Sequence, residues 1–465
     1  MKHGKEAGES RKMRFVTSLL IVVFAVACPL TALAGTMADY LESKKIYIAA
    51  AACMAAYNSR PGSLAVAAFE QEGWRIEPYK QVSEKVDVKY MLAWDTTSTS
   101  EQDTYLLAVA GTESVRDAKL DLRTKKVYFA GKTLSEFADN AARKDVSPDA
   151  PRVHEGFNQA TQLLLEAESA QSNDAQAGTM RRVANILKED KQDKVILVGH
   201  SLGGAVVTLA AARLLDMGVR PDQIEVVTFG APAVGNEAFA AQYDGRVPVT
   251  RYVMDADPVP SALRRVFGGY RHIGREVVWR TPETLKSYFS HDVPVYVDMA
   301  LRNYYPKRRV AINEGIISLP EPIPDKPRLY IAPIKNSLPP ALKSDFPFMQ
   351  EALWNEYELV SAGNVVDRAE AVAATYFDKA AKAGCTLLVV PEIQAVRVRE
   401  ANTYYVSLNQ AIFRVSDGTT VNAGMFGSNT KELTPLDALI HGAKAMNKES
   451  AAWMERDLHA GQRSK

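Results

Sequence analysis

The stretch Lys194-Val-Ile-Leu-Val-Gly-His-Ser-Leu-Gly-Gly204 decides how this chain is read. Its first five residues form an apolar run suited to a buried strand, and Gly204 to Met217 follow with helical character. Ser201 therefore stands on a sharp turn between a strand and a helix. Such a turn lifts a hydroxyl clear of a sheet, but it strains the backbone and tolerates only small residues two places before and two places after. Gly199 and Gly203 occupy those places. A serine hydroxyl is a weak nucleophile at neutral pH, so it needs a base to take its proton and N–H donors to hold the oxyanion that forms. Leu202, at the start of the helix, offers one such N–H where the helix dipole also favours negative charge.

The base and the acid that orients it should follow in the order Ser, Asp or Glu, His. Of seven histidines, four lie beyond the serine: His272, His291, His441 and His459. Val249 to Val253 reads as a strand, and Met254-Asp-Ala-Asp-Pro-Val-Pro260 at its carboxyl end carries two acids, where open α/β sheets place their reactive side chains. Asp257, held extended by Pro258, is the preferred acid. Asp255 is the alternative, because alternation puts both on one face of a strand. His272 falls in Gly269 to Trp279, which alternates like an edge strand, and reads as a structural histidine. His291, in Tyr288-Phe-Ser-His-Asp-Val-Pro294, sits on a polar break, a loop able to carry a base back to the serine. A second oxyanion donor is expected where the strand Tyr105 to Ala110 ends in Gly111-Thr112, from the Thr112 backbone N–H.

With these residues in hand, the chain resembles the class 3 lipases, the fungal-lipase-like branch of the α/β-hydrolases. The matching segments are Ala110-Gly-Thr-Glu-Ser114 with Asp121-Leu122, Val153-His-Glu-Gly-Phe157, Gly199 to Gly204, Thr228-Phe-Gly-Ala-Pro-Ala-Val-Gly-Asn236, Asp257-Pro-Val-Pro260, Tyr270 to Glu276 and His291. They fall in order across roughly residues 40 to 300. The resemblance implies an α/β-hydrolase fold with Ser201 as nucleophile, Asp257 as orienting acid, His291 as base, and Thr112 with Leu202 as the oxyanion hole. It gives His154 and His272 structural roles. It further implies cleavage of acyl esters of lipids, of the triacylglycerol lipase or phospholipase type, through an acyl-enzyme. Two positions depart from the family: Ala110 replaces its usual arginine, and Ala118 replaces the tryptophan of its amphipathic lid. The lid stretch Glu113 to Lys126 is strongly charged here, so weak interfacial activation is expected and phospholipids or smaller soluble esters stay open as substrates. The competing reading is a catalytically weak envelope binding or assembly protein that uses the hydrolase fold as a lipid-binding platform.

The N-terminus speaks to compartment. A basic leader from Met1 to Arg14, the apolar Phe15 to Ala27 and the small residues Ala32-Leu-Ala34 read as a signal peptide. The apolar run is short against the about 20 residues of a spanning helix. A secreted or periplasmic location is expected, with lipidation at Cys28 or an uncleaved anchor as alternatives. Beyond it lie Cys53 and Cys385, whose pairing sequence leaves open. Cys53, in the small-residue helix Ile46 to Tyr57, reads as an apolar filler. No cysteine and histidine spacing matches a metal site, so neither metal nor cofactor is expected. Lys and Arg number 56 against 55 Asp and Glu, and the net charge of +1 gives no reason to expect nucleic acid.

A length of 465 residues suggests two domains after the leader. These are an α/β-hydrolase domain over 35–318 and a smaller mixed α/β domain over 328–465. The proline-rich linker Leu319 to Pro327 joins them and is expected to be a boundary crossed by few contacts. Residues 131–152 read as an exposed insertion, a solvated loop in preference to part of an enlarged lid. In the last segment Tyr357 to Val360, Thr386 to Val398 and Tyr404 to Val415 read as strands, and Val365 to Ala383 and Pro435 to Met446 as helices. The pattern is similar to small α/β modules of bacterial envelope proteins such as the N-terminal part of the TolB type. It suggests a docking or scaffold role with an envelope protein as partner, beside the lipid or acyl-ester substrate and contact with a membrane surface.

Overall fold

The structure is a computed structural model and describes residues 35–57, 59–71, 73–76, 80–81, 89–95, 103–111, 125–166, 179–318, 327–361, 365–366, 376–399 and 403–462. The leader 1–34, Thr112 and most of the charged stretch 113–126 lie outside them.

Helices α1 (residues 35–55) and α2 (Arg60–Gln71) lead to strands β1 (Trp74–Ile76), β2 (Lys80–Gln81), β3 (Lys89–Asp95) and β4 (Thr104–Val109). A ribbon of β5 (Lys126–Tyr128) and β6 (Arg152–His154) encloses α3 (Leu134–Ala142) and passes into α4 (Glu155–Glu166) and α5 (Thr179–Glu189). Then come β7 (Lys194–His200), α6 (Leu202–Asp216), β8 (Ile224–Phe229), α7 (Glu237–Tyr243), β9 (Val249–Met254), α8 (Val259–Phe267) and β10 (Arg275–Trp279). The strands form one sheet in the order β1-β3-β4-β7-β8-β9-β10, with β2 beside β3. From β4 to β10 neighbours run parallel, and β3 joins antiparallel. Helices cover both faces, so β7 is buried on both and reads as a continuous apolar run rather than an alternating one. Helix α6 is apolar nearly all round because its outer side is covered in turn by α4.

Two local readings need correction. Within the expected solvated insertion, Leu134–Ala142 is a helix. Thr133 caps it, its Oγ1 accepting the Glu136 N–H at 3.3 Å while the Glu136 carboxylate takes the Lys132 N–H at 2.7 Å. Its buried Phe137 stacks on the guanidinium of Arg213, a contact that the charged outer face of the segment hides. The expected strand around His272 begins only at Arg275, because Gly274 breaks the run with φ of +77°.

After α9 (Val293–Asn313) the chain builds a second sheet from β11 (Leu329–Ile331) and β12 (Lys335–Ser337). Helix α10 (Phe346–Ser361), β13 (Val365–Val366) and α11 (Tyr376–Lys382) follow, then the long strands β14 (Leu387–Val398), β15 (Thr403–Arg414) and β16 (Thr420–Asn429), and helix α12 (Pro435–Gln462). The sheet order is β13-β11-β14-β15-β16, with β12 against β14. The expected pair 386–398 and 404–415 is present, antiparallel from Leu387↔Arg414 to Val398↔Thr403. The expected strand at Tyr357 to Val360 is instead the end of α10, where Tyr357 enters the core and Glu358 reaches Arg308 at 2.6 Å. Strand β16, rich in glycine and asparagine, had no counterpart in the sequence reading.

The expected linker lies almost wholly outside the described residues, and the boundary is not crossed by few contacts. One apolar cluster runs from Cys53 on α1 and Leu301 on α9 to Leu353 on α10, Leu408 on β15 and Leu439 on α12. Helix α9, amphipathic toward both modules, supplies the common wall. On this helix Arg302 is gripped by Asp298 and reaches Asp345 at 2.9 Å, and Thr284 donates to the same Asp345 oxygen at 2.9 Å. Cys53 and Cys385 are both buried free thiols in separate apolar clusters, so they do not pair.

Removing Arg302 should expose the cost of this junction. Asp298 and Asp345 are both 0% exposed, and Arg302→Leu would leave two buried carboxylates without their cation. The expected loss is about 3–5 kcal/mol of unfolding free energy. It is read from urea denaturation of the full chain, and a loss below about 1 kcal/mol would show that the two modules are held together by other means.

Candidate active site

Ser201 is the one non-glycine with positive φ among the described residues, at φ 56° and ψ −126°. Close packing forces this conformation. A Cβ on Gly199 would come within 2.4 Å of the Gly203 backbone, and one on Gly203 within 2.1 Å of the Val109 carbonyl oxygen. The helix thus rests directly on the strands, and the turn has no room to relax. The Ser201 N–H donates to the Phe229 carbonyl at 2.9 Å, which ties the turn to β8.

The structure brings Ser201, His291 and Asp257 into one line at the carboxyl ends of the parallel strands. Ser201 Oγ lies 2.8 Å from His291 Nε2, and His291 Nδ1 lies 2.7 Å from Asp257 Oδ2. The His291 and Asp257 side chains are 1% and 0% exposed. Since a carboxylate only accepts, Nδ1 carries the proton and Nε2 is left to accept from the serine hydroxyl. The loop that holds His291 ends at Asp292, and α9 starts at once with Val293-Pro294. Asp257 is fixed from both oxygens: Oδ1 accepts the Val259 N–H at 2.9 Å, and Oδ2 accepts the Tyr296 hydroxyl at 2.6 Å. Burial, and then the charge of Asp257, push the Tyr296 phenol well above its usual range, so it stays a donor. Gly230, with φ of +61°, closes the floor, since a Cβ there would sit 2.7 Å from Asp257 Oδ2 and 2.9 Å from His291 Nδ1.

The alternative acid does not reach this line. Asp255 is exposed and accepts from the Thr281 hydroxyl at 2.6 Å and the Thr281 N–H at 3.0 Å. These bonds hold its carboxyl below the usual range. Because β9 ends at Met254, strand alternation does not carry on to pair the two acids. His272 Nε2 lies 2.8 Å from the Pro260 carbonyl, and His154 stacks on Phe157 with ring centroids 4.2 Å apart. His441 belongs to α12 in the second module. Leu202 is the first residue of α6, where a backbone N–H has no acceptor within the helix. Thr112, the expected second donor, is outside the described residues, but its neighbour Gly111 lies against the serine: a Cβ there would be 2.7 Å from Ser201 Cβ.

Three residues of the site went unread in the sequence. Tyr296 sits five residues beyond His291 on α9, and His200 hides inside the serine motif. Tyr57, at the end of the first helical segment, sends its hydroxyl to Gly111 and His200, both far from it in sequence. Among the described residues no group of three or more His, Cys, Asp or Glu side chains is placed to hold a metal.

The arrangement can move a proton from a serine hydroxyl to a buried imidazole while the paired carboxylate holds the imidazole's other proton. Residues 106–267 match the family Lipase (class 3). Among similar proteins, a secreted mono- and diacylglycerol lipase of Fusarium solani is 37% identical over 126 residues, 27% of this chain and 33% of that enzyme. A lipase of Caenorhabditis elegans is 50% identical over 68 residues, 14% of this chain and 19% of its own. The chain thus spans a third or less of the length of these relatives. A crystal structure of a lipase from Rhizopus microsporus var. chinensis overlaps 51% of this chain and 74% of its own, with 25% identity and a TM-score of 0.38. The likeness to the class 3 lipase family is carried by residues 106–267, which include the serine turn and Asp257.

Proposed function

We propose that this protein is a serine carboxylic ester hydrolase that cleaves acyl esters of lipids. The observation that carries the reading is the buried line Ser201–His291–Asp257 set on a strained turn at the head of a helix. In this reading His291 Nε2 takes the Ser201 proton as Oγ attacks the ester carbonyl. The Leu202 N–H, together with that of Thr112, holds the oxyanion. The imidazolium then protonates the leaving alcohol, and the freed base activates water to release the fatty acid from the acyl-enzyme. Asp257 keeps the imidazole in the needed tautomer throughout, and the Tyr296 and Val259 donors hold Asp257 still.

The substrate is an acyl lipid on two grounds: the family match, and relatives named as mono- and diacylglycerol lipases and a phospholipase A1. The head group stays open between acylglycerol and phospholipid. Export is part of the same proposal, supported by the leader-like residues 1–34 and by relatives named as secreted. No observation on the site favours the platform reading over catalysis.

The primary test is labelling of the full chain with a fluorophosphonate, followed by turnover of nitrophenyl esters. Ser201→Ala should lose the label and at least about 10³-fold in kcat while melting like the parent, and a variant keeping half its turnover would end the proposal. The two acids should separate cleanly. Asp257→Asn is expected to cost about 10⁴-fold in kcat, the loss known for the matching change in a serine protease, with KM little changed. Asp255→Asn should stay within a few-fold, and the reverse ranking would reassign the acid.

The charged stretch 113–126 predicts a small interfacial effect, since a lid with no large apolar face gains little from a lipid surface. Rate plotted against concentration of a short ester should pass its solubility limit without a steep rise. Negligible activity below that limit, followed by a jump, would refute this.

A further inference from the structure

Behind the reacting serine lies a hydrogen-bond relay that the proposed mechanism does not use. The Gly111 N–H donates to the Tyr57 hydroxyl oxygen at 2.9 Å. The same hydroxyl is 2.6 Å from His200 Nδ1, and His200 Nε2 is 2.7 Å from the carbonyl oxygen of His291. The proton positions follow from the partners. A carbonyl only accepts, so His200 Nε2 carries a hydrogen. Burial, followed by the neighbouring His291, holds His200 well below its usual range, so it is neutral and its Nδ1 accepts. Tyr57 must then donate to Nδ1, which leaves its oxygen lone pairs for the Gly111 N–H. Every group in the relay has one role, and reversing any of them leaves a buried donor facing a donor.

The relay spans three parts of the site. Gly111 ends the β4 segment, one residue before the expected oxyanion donor. His200 is joined by a peptide bond to Ser201, and the His291 carbonyl belongs to the base itself. Packing leaves little slack, since a Cβ on Gly111 would meet the Tyr57 oxygen and Ser201 Cβ, each at 2.7 Å. The rings of His200 and His291 also lie side by side, with centroids 4.8 Å apart.

We propose that Tyr57 is a positioning residue which, held by His200, fixes the backbone at Gly111 against Ser201 and so sets the geometry of the oxyanion hole. This rests on the hydrolase reading above. Tyr57 touches neither the nucleophile's proton nor the base nitrogen. Its loss should therefore act on the charged tetrahedral state rather than on substrate binding.

The experiment compares the full chain with Tyr57→Phe, His200→Leu and His200→Gln. Tyr57→Phe should lower kcat on nitrophenyl butyrate by about 10–100-fold with KM within about twofold. It should weaken butylboronic acid, whose serine adduct is a tetrahedral anion, in the same proportion. His200→Leu should reproduce the loss, and His200→Gln, which keeps an acceptor and a donor, should recover most of it. Amide hydrogen exchange at Gly111 should speed by at least about 10-fold in Tyr57→Phe, while strands β7 and β8 keep their protection. Unchanged kcat and boronate affinity, a loss confined to KM, or unchanged Gly111 exchange would each overturn the proposal. A parent chain without turnover or fluorophosphonate label would refute the hydrolase reading and with it the catalytic role of the clamp. Gly111 exchange would then still report whether the clamp itself exists. Should Tyr57→Phe fail to melt cooperatively, the contrast of His200→Leu with His200→Gln decides.

Discussion

The close approach of one helix to two strand backbones governs the rest of this structure. Where α6 meets β7 and β4, the Gly199 and Gly203 backbones touch with no side chain between them, and Gly203 lies almost on the Val109 carbonyl. Nothing larger than hydrogen fits, so the chain turns through a conformation that an L-residue otherwise avoids, and Ser201 is the residue placed in it. The sheet gains no stability from that strain. It is carried by the apolar layers on either side, through the fully buried β7 and an α6 enclosed by α4. Rigidity at the turn then fixes both the hydroxyl and the first helical N–H relative to everything that follows β4, β8 and β9.

Helix α9 is the second organising element, and it faces two ways. Its first turn follows His291 directly and presents the Tyr296 hydroxyl to Asp257, so the base and the acid both take their position from it. Further along, Leu301, Arg302 and Arg308 pack against the second module. The second module is therefore packed against the helix that follows the base rather than being a distant appendage. Asp345 shows the energetic character of that junction: burial raises its carboxyl above the usual range, while Arg302 pulls it back down. An ion pair this dry is poorly tolerant of losing a partner, which makes the junction specific even where it is not strongly stabilising.

Much of the first sheet was legible because its signals are local. Ser201 is announced by small residues at fixed offsets, and Asp257 and His291 by turn chemistry at strand and helix ends. The sequence also ranked Asp257 over Asp255 for a physical reason, the extended conformation imposed by Pro258, and only Asp257 reaches His291 in the structure. Contacts between segments far apart in sequence were illegible. Tyr57 and His200 meet across 143 positions, and no periodicity reports such a meeting. The same limit applies to the module boundary, where prolines suggested a loose tether and the burial of α9 gave a shared core. In the second module Tyr357 to Val360 looked like a strand because a short apolar run carries no length information, and tertiary packing kept it in α10. Strand β16 escaped notice because its glycines and asparagines are poor strand formers, tolerated where β15 supplies the full ladder.

The two thiols of the described body bear on how the chain reaches its native state. Cys53 is sealed in the shared core at 0% exposure, where burial drives its ionisation far above neutral pH, and Cys385 lies in a separate pocket of apolar side chains with its thiol also pushed up. Thiolates, not thiols, enter exchange reactions, so neither sulfur is reactive once the chain has folded. Among the described residues no disulfide holds the fold, so the folded body keeps its structure whether or not a reductant is present.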